Sequence, residues 1–146
     1  MATILQLHGP NLNLLGTRET QIYGQHTMDS INQLVEKTLS AASHKLICYQ
    51  SNHEGELIDR IQQAMQQSID FIIFNPAAYT HTSIALRDAL LAVSIPFIEV
   101  HLSNPLERES FRHRSFFSDI ALQVISGKGA QSYTIAAKAA IEYLDQ

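Results

Sequence analysis

The chain has 146 residues, of which 45% are hydrophobic, and its formal net charge at pH 7 is −4. This length predicts one well-buried domain over residues 1–146 and is too short for two ordinary domains. The acidic balance argues against a general affinity for nucleic acid, whose phosphates require a basic protein face. No apolar run approaches the roughly 20 residues of a membrane span, and the start lacks a signal-peptide pattern. We therefore expect a cytoplasmic protein that does not contact membranes.

Short apolar runs alternate along the chain with segments of helical spacing. The predicted strands are Thr3–Leu7, Leu46–Tyr49, Phe71–Phe74, Phe97–Val100 and Ile120–Ile125. The predicted helices are Ser30–Ala42, Glu56–Met65, a segment from about Thr82 to Val93, and Ser132–Leu144. Such alternation implies a parallel sheet whose two faces are covered by right-handed crossovers. The predicted fold class is α/β, a flavodoxin-like doubly wound five-stranded parallel sheet with helices on both faces.

Helical spacing also predicts which side chains face the sheet. The apolar positions of the first two helices include Leu34 and Met65, which we expect to lie against the sheet with their neighbours. The single cysteine, Cys48, lies in the apolar segment Lys45–Gln50. We expect it to be a buried, inert thiol, because the chain offers no disulfide partner.

A long polar segment, residues 8–24, follows the first predicted strand and carries Asn11, Arg18 and Tyr23. A connector of about 2–6 residues would suffice between a strand and a helix. Ligands of open α/β sheets bind outside the carboxyl ends of the strands, where this segment lies. We therefore interpret it as a binding loop or lid, with Gly16 and Gly24 as points where the backbone bends.

Polar residues also follow the third and fourth predicted strands. Asn75 and His81 come after the third strand, and each alone is also typical of a turn or a helix cap. Glu99 and His101 lie two positions apart on the fourth strand and so share a face. A carboxylate that holds an imidazole is suited to acid–base catalysis, although such pairs are as often structural. The convergence of these residues with Asn11 at one sheet edge favours a site.

Basic side chains concentrate in the weakly patterned stretch Pro105–Phe117. Arg108, Arg112 and Arg114 cluster there with His113. Arginine suits planar recognition of oxyanions, so the cluster indicates a local anion site, although a solvated basic patch has the same spacing.

Tyr23 and Arg18 form a possible catalytic pair in the first loop. A tyrosine phenol ionises near pH ~10 and is a poor base at neutrality. A neighbouring guanidinium would lower the pKa of the phenol, because it favours the phenolate. Tyr23 could then remove a proton next to a carbonyl while His101 protonates a leaving hydroxyl. The alternative is a tyrosine that only packs over the site.

Several long motifs, in the same order, make the whole chain resemble one enzyme family. The motifs are Asn11-Leu-Asn-Leu-Leu-Gly-Thr-Arg18, Ile22-Tyr-Gly24, Asn52-His-Glu-Gly-Glu-Leu-Ile-Asp59, Asn75-Pro-Ala-Ala-Tyr-Thr-His-Thr-Ser83, Glu99-Val-His-Leu-Ser-Asn104 and Phe111-Arg112. They closely resemble those of the type II 3-dehydroquinate dehydratases, which convert 3-dehydroquinate to 3-dehydroshikimate in aromatic biosynthesis or quinate breakdown. Thr20, where the family's lid commonly has proline, is a departure.

The resemblance implies catalytic roles for five residues. Tyr23 is expected to be the base that takes the C2 proton, with Arg18 keeping it ionised. His101 is expected to be the acid that protonates the leaving C1 hydroxyl, oriented by Glu99. Asn11 is expected to help hold a water that stabilises the enolate intermediate.

The resemblance also implies how substrate is bound. Asn75 and the backbone amides of Leu102 and Ser103 are expected to bind the substrate carboxylate. His81 and Arg112 are expected to bind the ring hydroxyls.

A homo-oligomer is implied as well. Asp88 in such proteins reaches the site of a neighbouring subunit, and the family pattern is a dodecamer built from trimers.

The residues predict neither a cofactor nor a metal. His53-Glu-Gly-Glu-Leu57 lacks the second histidine of a zinc helix, and Gly127-Lys-Gly129 is a turn rather than a dinucleotide fingerprint. A Schiff-base route is disfavoured because each lysine lies in a predicted helix, turn or strand start.

Two hypotheses compete with an active dehydratase. One is a flavodoxin-like binding module, since fold alone does not set function, and the other is an inactive relative of the enzymes.

Overall fold

Five parallel strands form one sheet in the order β2-β1-β3-β4-β5. The structure is a computed structural model that describes residues 1–17 and 19–146, and the side chain of Tyr23 lies outside the description. The strands are β1 (Thr3–His8), β2 (Lys45–Gln50), β3 (Phe71–Asn75), β4 (Phe97–Val100) and β5 (Gln123–Ile125). Because β1 lies between β2 and β3, the direction of chain progression reverses beside it. Such a reversal is where flavodoxin-like folds bind ligands.

Two pairs of helices cover the two faces of the sheet. The α-helices are α1 (Thr20–Tyr23), α2 (Met28–Ala41), α3 (Glu54–Gln66), α4 (Ile84–Val93) and α5 (Gln131–Leu144). Helices α2 and α5 pack on one face, and α3 and α4 pack on the other. This arrangement confirms the predicted α/β fold class. No helix in the described part of the chain has the length and apolar character needed to cross a membrane.

The two faces separate because strand side chains alternate in direction. In β1, Ile4 packs with the α2 and α5 side, whereas Leu5 and Leu7 pack with the α3 and α4 side. Gln6 and His8, which share the direction of Ile4, are fully buried as well. The α2 and α5 face of the sheet therefore carries polar side chains inside the fold.

Capping side chains decide where two helices begin. Helix α4 begins later than its apolar spacing predicted, and α2 begins earlier. Ser83 caps α4, because its side chain accepts a hydrogen bond of 2.9 Å from the backbone of Leu86, and the helix begins at Ile84. Thr27 caps α2 in a reciprocal capping box with Ser30, and that helix begins at Met28. The observed starts follow the side chains that can accept from the first turn.

The predicted strand Ile120–Ile125 is too long. The backbone amides of Ile120 and Ala121 donate to the carbonyl of Phe117, both at 3.0 Å, and so belong to a turn. Regular pairing with β4 begins at Gln123. The apolar residues before it fill space between the turn and the sheet without extending the strand.

Three side chains expected inside the fold are exposed in this chain. Leu34 and Met65 are 36% and 57% exposed, because each lies at the margin of its helix's apolar face. Cys48 is exposed as well, since β2 is an edge strand that leaves one side of the sheet open. The expectation of a buried Cys48 was wrong.

The first loop contains more local structure than its sequence indicates. Leu12 and Leu15 are buried beside α2 and hold the start of the loop, where residues Leu12–Leu14 form a 3₁₀ turn. A single helical turn, α1, follows and ends at Tyr23. Gly24 caps it with a φ of 80°, which is favourable for glycine. The loop is therefore anchored at its start and carries Tyr23 on a helical turn.

Candidate active site

A cleft opens at the carboxyl ends of β1, β3 and β4. Its volume is about 160 Å³. The lining residues are Pro10, Asn11, Leu12, Asn75, Ala77, Ala78, His81, His101, Leu102, Ser103, Pro105, Arg108 and Arg112. The predicted convergence of the three strand ends is therefore present. A cleft of this size suits a small metabolite.

Glu99 and His101 form a buried pair at the end of β4. The Nε2 atom of His101 lies 2.5 Å from Oε2 of Glu99. A carboxylate can only accept, so Nε2 carries the hydrogen of this bond. Nδ1 is then the nitrogen of His101 that can exchange a proton with a ligand. The pair has the tautomer and orientation that acid–base catalysis needs.

Two serines complete the surroundings of the Glu99 carboxylate. Ser118 Oγ donates to Oε1 at 2.7 Å, and Ser115 Oγ lies 2.9 Å from Oε2. Burial alone would raise the pKa of Glu99, but bonds from His101, Ser118 and Ser115 outweigh it and lower the pKa. Glu99 therefore stays ionised inside the protein, where it can hold a charged imidazole.

Ser115 and Ser118 were missed by the sequence analysis. They lie in the segment after the arginine cluster, where nothing in the spacing points to a partner. The backbone amide of Phe117 donates to Ser115 Oγ at 3.0 Å, which fixes that hydroxyl beside Glu99. Only the folded chain brings this segment against β4.

His81 is held by a backbone carbonyl. Its Nδ1 lies 2.7 Å from the carbonyl oxygen of Arg114, and a carbonyl can only accept, so Nδ1 donates. The neutral ring then has a lone pair on Nε2 that can accept from a ligand hydroxyl. Burial is the largest of the causes that lower the pKa of His81, with the charges of His101 and Arg112 acting in the same direction.

Asn75 is buried at the end of β3 with a fixed amide orientation. Its Oδ1 accepts the backbone N–H of Ala77 at 3.0 Å, and its Nδ2 donates to the hydroxyl of Tyr133 at 2.9 Å. An amide nitrogen has two hydrogens, so one remains for a ligand in the cleft. Asn75 is therefore presented to the cleft as a donor.

Backbone amides complete the donor set. Within residues 1–17 and 19–146, the amides of Leu102 and Ser103 donate to no protein acceptor. Their carbonyls are held from behind, because Leu102 accepts from Gly129 at 3.0 Å and Ser103 accepts from Gly127 at 3.1 Å. The Gly127–Gly129 turn thus orients a pair of N–H groups that can bind a carboxylate.

The arginine cluster divides between the cleft and the surface. Arg112 lines the cleft and donates from Nε to Glu109 at 2.9 Å. Arg108 also lines it, with Nη1 3.2 Å from Ser103 Oγ. Arg114 instead stacks on Phe116, 4.5 Å from the ring centre. Of the three arginines predicted to form an anion site, Arg108 and Arg112 therefore line the cleft and Arg114 does not.

Asn11 lines the cleft from the first loop. Its backbone adopts a φ of 69°, and its backbone N–H donates to the side-chain oxygen Oδ1 of Asn52 at 2.9 Å. Asn52 was part of a sequence motif without an assigned role, and the structure shows that it holds the backbone of Asn11.

Four predicted site residues are not placed in the lining of the cleft. One of them, Glu99, is buried against His101, which does line it. Arg18 and the side chain of Tyr23 lie outside the described residues, so their predicted roles stay predictions. Asp88 is exposed on α4 and does not line the cleft of its own chain.

The described groups of the cleft suit a small hydroxylated carboxylic acid. Amide and guanidinium donors converge from Asn75, the Leu102–Ser103 backbone and Arg112. A histidine backed by a carboxylate stands beside them and can supply a proton. This set can bind an anion and move a proton within one small volume.

Comparison with known proteins assigns the chain to a family. The family model described as dehydroquinase class II matches residues 2–141. The chain belongs to this family. It is 62% identical to 3-dehydroquinate dehydratase 1 of Pseudomonas aeruginosa over 146 residues, covering all of this chain and 99% of that protein. It is also 62% identical to the 3-dehydroquinate dehydratase of Stutzerimonas stutzeri, covering 99% of this chain and 98% of that protein.

A solved dehydroquinase has the same fold. The crystal structure of the type II dehydroquinase from Butyrivibrio crossotus matches with a TM-score of 0.92 at 44% identity, covering 99% of this chain and 98% of that one. The family and its fold agree with the resemblance found in the motifs. The chain is therefore an enzyme of the type II dehydroquinase family.

Proposed function

We propose that this enzyme dehydrates 3-dehydroquinate to 3-dehydroshikimate in the cleft, by trans elimination through an enolate and without a Schiff base. The family assignment supports the overall reaction, which is a step of the shikimate pathway. The observation that carries the proposal is the buried Glu99–His101 pair beside a set of amide donors. That arrangement supplies both a proton and a carboxylate site.

The elimination needs one base and one acid. Tyr23, as a phenolate favoured by the charge of Arg18, takes the proton from C2 of the substrate. The electron pair of that C–H bond moves into the enolate. Asn11 helps to hold a water that stabilises the enolate oxygen.

His101 acts in the second half of the reaction. The bond between C1 and its hydroxyl breaks as the enolate collapses to the conjugated product, and the oxygen leaves as water with a proton from His101. The hydrogen bond to Glu99 occupies Nε2, so Nδ1 delivers the proton. The negative charge of Glu99 supports the protonated imidazole that precedes this step.

The same donors that line the cleft bind the substrate. The second hydrogen of Asn75 Nδ2 and the amides of Leu102 and Ser103 take the carboxylate. Nε2 of His81 and the guanidinium of Arg112 bind the ring hydroxyls. The fixed amide of Asn75 and the fixed ring of His81 support these assignments, because neither group must reorganise on binding.

An imine route requires a lysine at the reacting carbonyl. Among the described lining residues of the cleft there is no lysine. Lys37 and Lys138 lie in α2 and α5, Lys45 begins β2, and Lys128 lies in a turn. These positions support acid–base catalysis by Tyr23 and His101.

We further propose that residues 1–146 form a single catalytic domain that assembles into a dodecamer of trimers in the cytoplasm. The exposed position of Asp88 on α4 leaves it available to reach the cleft of a neighbouring subunit. A monomer found by light scattering at micromolar concentration would contradict this assembly.

The direct test measures the ultraviolet absorbance of the enzyme with 3-dehydroquinate, with and without earlier treatment with borohydride in the presence of 3-dehydroquinate, which would reduce and trap any imine. The conjugated product absorbs where the substrate does not, so turnover gives a rising signal. Turnover that survives borohydride supports the imine-free route. No signal from the folded protein would overturn the proposed reaction.

Two variants separate the proposed roles. Tyr23→Phe removes the base and is expected to abolish turnover while substrate binding is retained. Arg112→Ala removes a hydroxyl contact and is expected mainly to raise KM. Near-normal turnover in Tyr23→Phe would exclude Tyr23 as the base.

A further inference from the structure

A line of buried polar side chains runs beneath the cleft on the α2 and α5 face of the sheet. Tyr133 of α5 contacts both Asn75 and His8, with its hydroxyl 2.9 Å from Asn75 Nδ2 and 3.2 Å from His8 Nδ1. His8 Nε2 lies 2.8 Å from Oδ1 of Asn32 in α2. Tyr133 and His8 are fully buried, and Asn75 is 3% exposed. These residues connect the floor of the cleft to both helices of that face.

The directions of the hydrogen bonds in this line follow from the orientations of the Asn75 and Asn32 amides. The N–H of Ala77 can only donate, so the atom of Asn75 that it contacts is Oδ1, and the other amide atom is the donor Nδ2. Tyr133 therefore accepts from Asn75. Oδ1 of Asn32 also accepts from Nε2 of Gln6 at 2.8 Å, so Nε2 of the neutral His8 ring carries the hydrogen and donates to Asn32. The bare Nδ1 of His8 then accepts the hydroxyl hydrogen of Tyr133.

We propose that Tyr133 and His8 are positioning residues, which hold the Asn75 amide so that its second Nδ2 hydrogen faces the substrate carboxylate. This inference rests on the proposed function, because it needs Asn75 to bind the substrate. Asn75 alone could rotate about its side-chain bonds. With Oδ1 held by Ala77 and one Nδ2 hydrogen held by Tyr133, the remaining hydrogen has a fixed direction before substrate arrives.

The surroundings keep this line in a single protonation state. Burial lowers the pKa of His8 to about 4, although the bond to Asn32 acts the other way. Burial also raises the pKa of Tyr133 above its ordinary value, against the effect of the bond from Asn75. Both groups are therefore neutral over the range in which enzymes of this kind are assayed. The line orients Asn75 and does not carry protons to the reaction.

The first test is Tyr133→Phe, which keeps the ring and removes only the hydroxyl. Loss of one neutral hydrogen bond behind Asn75 is expected to raise KM for 3-dehydroquinate by about 3- to 10-fold. The kcat value is expected to change less than twofold, because Tyr23 and His101 are untouched. The ratio of variant to wild-type KM should be constant between pH 6 and pH 9, since the line does not titrate there.

Tyr143→Phe is the matched control. It makes the same chemical change on the same helix, at a side chain that is 44% exposed and contacts the ring of Phe71. Its KM and kcat are expected to equal those of the wild type. A KM for Tyr133→Phe as low as that of this control would overturn the proposal.

A double variant tests whether Tyr133 acts through Asn75. In an Asn75→Ala background, Tyr133→Phe is expected to produce no further increase in KM, because the group that it orients is gone. Full additivity of the two effects would show that Tyr133 acts elsewhere. A wild-type enzyme that does not convert 3-dehydroquinate would instead contradict the proposed function.

The proton on His8 provides a test in the unaltered protein. Nitrogen-15 spectra of histidine-labelled enzyme are expected to show a protonated Nε2 and a bare Nδ1 for His8 at pH 7. The opposite tautomer would reverse the bond to Tyr133 and overturn the proposed line. This result does not depend on whether the Tyr133→Phe variant folds.

Discussion

The Oε2 atom of Glu99 lies 2.5 Å from Nε2 of His101, and the two residues are 1% and 7% exposed. A buried carboxylate is costly unless it is paired and hydrogen-bonded. Glu99 satisfies both conditions, because His101, Ser115 and Ser118 all contact its oxygens. The Glu99 carboxylate therefore fixes the tautomer of His101, and its negative charge stabilises the protonated ring.

Replacement of Glu99 by glutamine tests that charge. Glu99→Gln keeps the size of the side chain but removes the negative charge, so the protonated His101 loses its counter-ion. We expect kcat to fall by about 100-fold, the lower range for loss of acid–base catalysis. Steady-state kinetics by product absorbance measures the effect. Glu107→Gln, an exposed change of the same type in the nearby loop, serves as the control.

One outcome of the Glu99→Gln experiment would contradict a catalytic role for the charge of Glu99. A variant with wild-type kcat would show that Glu99 is only a structural partner of His101. Circular dichroism on both variants separates loss of catalysis from loss of the fold.

Ser118→Ala should change the pH dependence of the enzyme. The bond from Ser118 helps to lower the pKa of Glu99, so its removal raises that pKa. Glu99 then takes up a proton at a higher pH, and activity is lost earlier as the solution is acidified. We expect the acid limb of the kcat profile to move to higher pH. Ser110→Ala, at an exposed serine, should leave the limb in place.

Much of the fold was predictable because a doubly wound sheet has a strong local signal. Buried parallel strands are continuous apolar runs, and each helix repeats its apolar face. The range Phe97–Val100 was predicted to the residue. The predicted strand from Ile120 failed because apolar residues also pack in turns, and periodicity cannot tell these apart.

The site was predictable only in part. Asn75 ends β3, His81 lies in the turn that follows it, and His101 comes directly after β4, so the fold class alone brings them to one edge. Tyr133 and Ser118 reach the site from distant helices and turns, and their sequence spacing carries no signal. The resemblance to a family supplied roles for Tyr23 and Arg18, which lie outside the described side chains.

The buried His8 should make the protein less stable in acid. Its pKa is lowered to about 4 in the folded state, whereas an unfolded histidine titrates near ~6.5. Between these values the unfolded chain binds more protons, so the free energy of unfolding falls as pH decreases through this window. From pH 7.5 to pH 4.5 we expect a loss of about 2–3 kcal/mol from His8 alone.

The measurement compares urea unfolding of the wild type and of His8→Asn across that pH range. The variant lacks the titrating ring, so its stability should change less between pH 7.5 and pH 4.5, whatever its stability at neutral pH. Equal pH dependence in both proteins would contradict a buried neutral His8.

Gly9 places the end of β1 against the turn that follows Asn75. A Cβ atom at Gly9 would lie 2.3 Å from the carbonyl oxygen of Pro76, which is backbone and cannot move aside by a side-chain rotation. The Gly9 amide also donates to the carbonyl of Asn75 at 2.8 Å. Gly9→Ala must therefore displace the Asn75–Pro76 backbone.

Gly9→Ala is expected to lower the free energy of unfolding by about 3 kcal/mol, the upper range for overpacking, and to raise KM. Gly55→Ala is the matched control, because a Cβ at this helical position meets nothing within 4 Å. That change should stabilise the protein by about 0.5–1 kcal/mol and leave KM unchanged. Urea unfolding and steady-state kinetics on both variants measure these effects. If Gly9→Ala is as stable and as active as Gly55→Ala, the close approach of the two strand ends does not position Asn75.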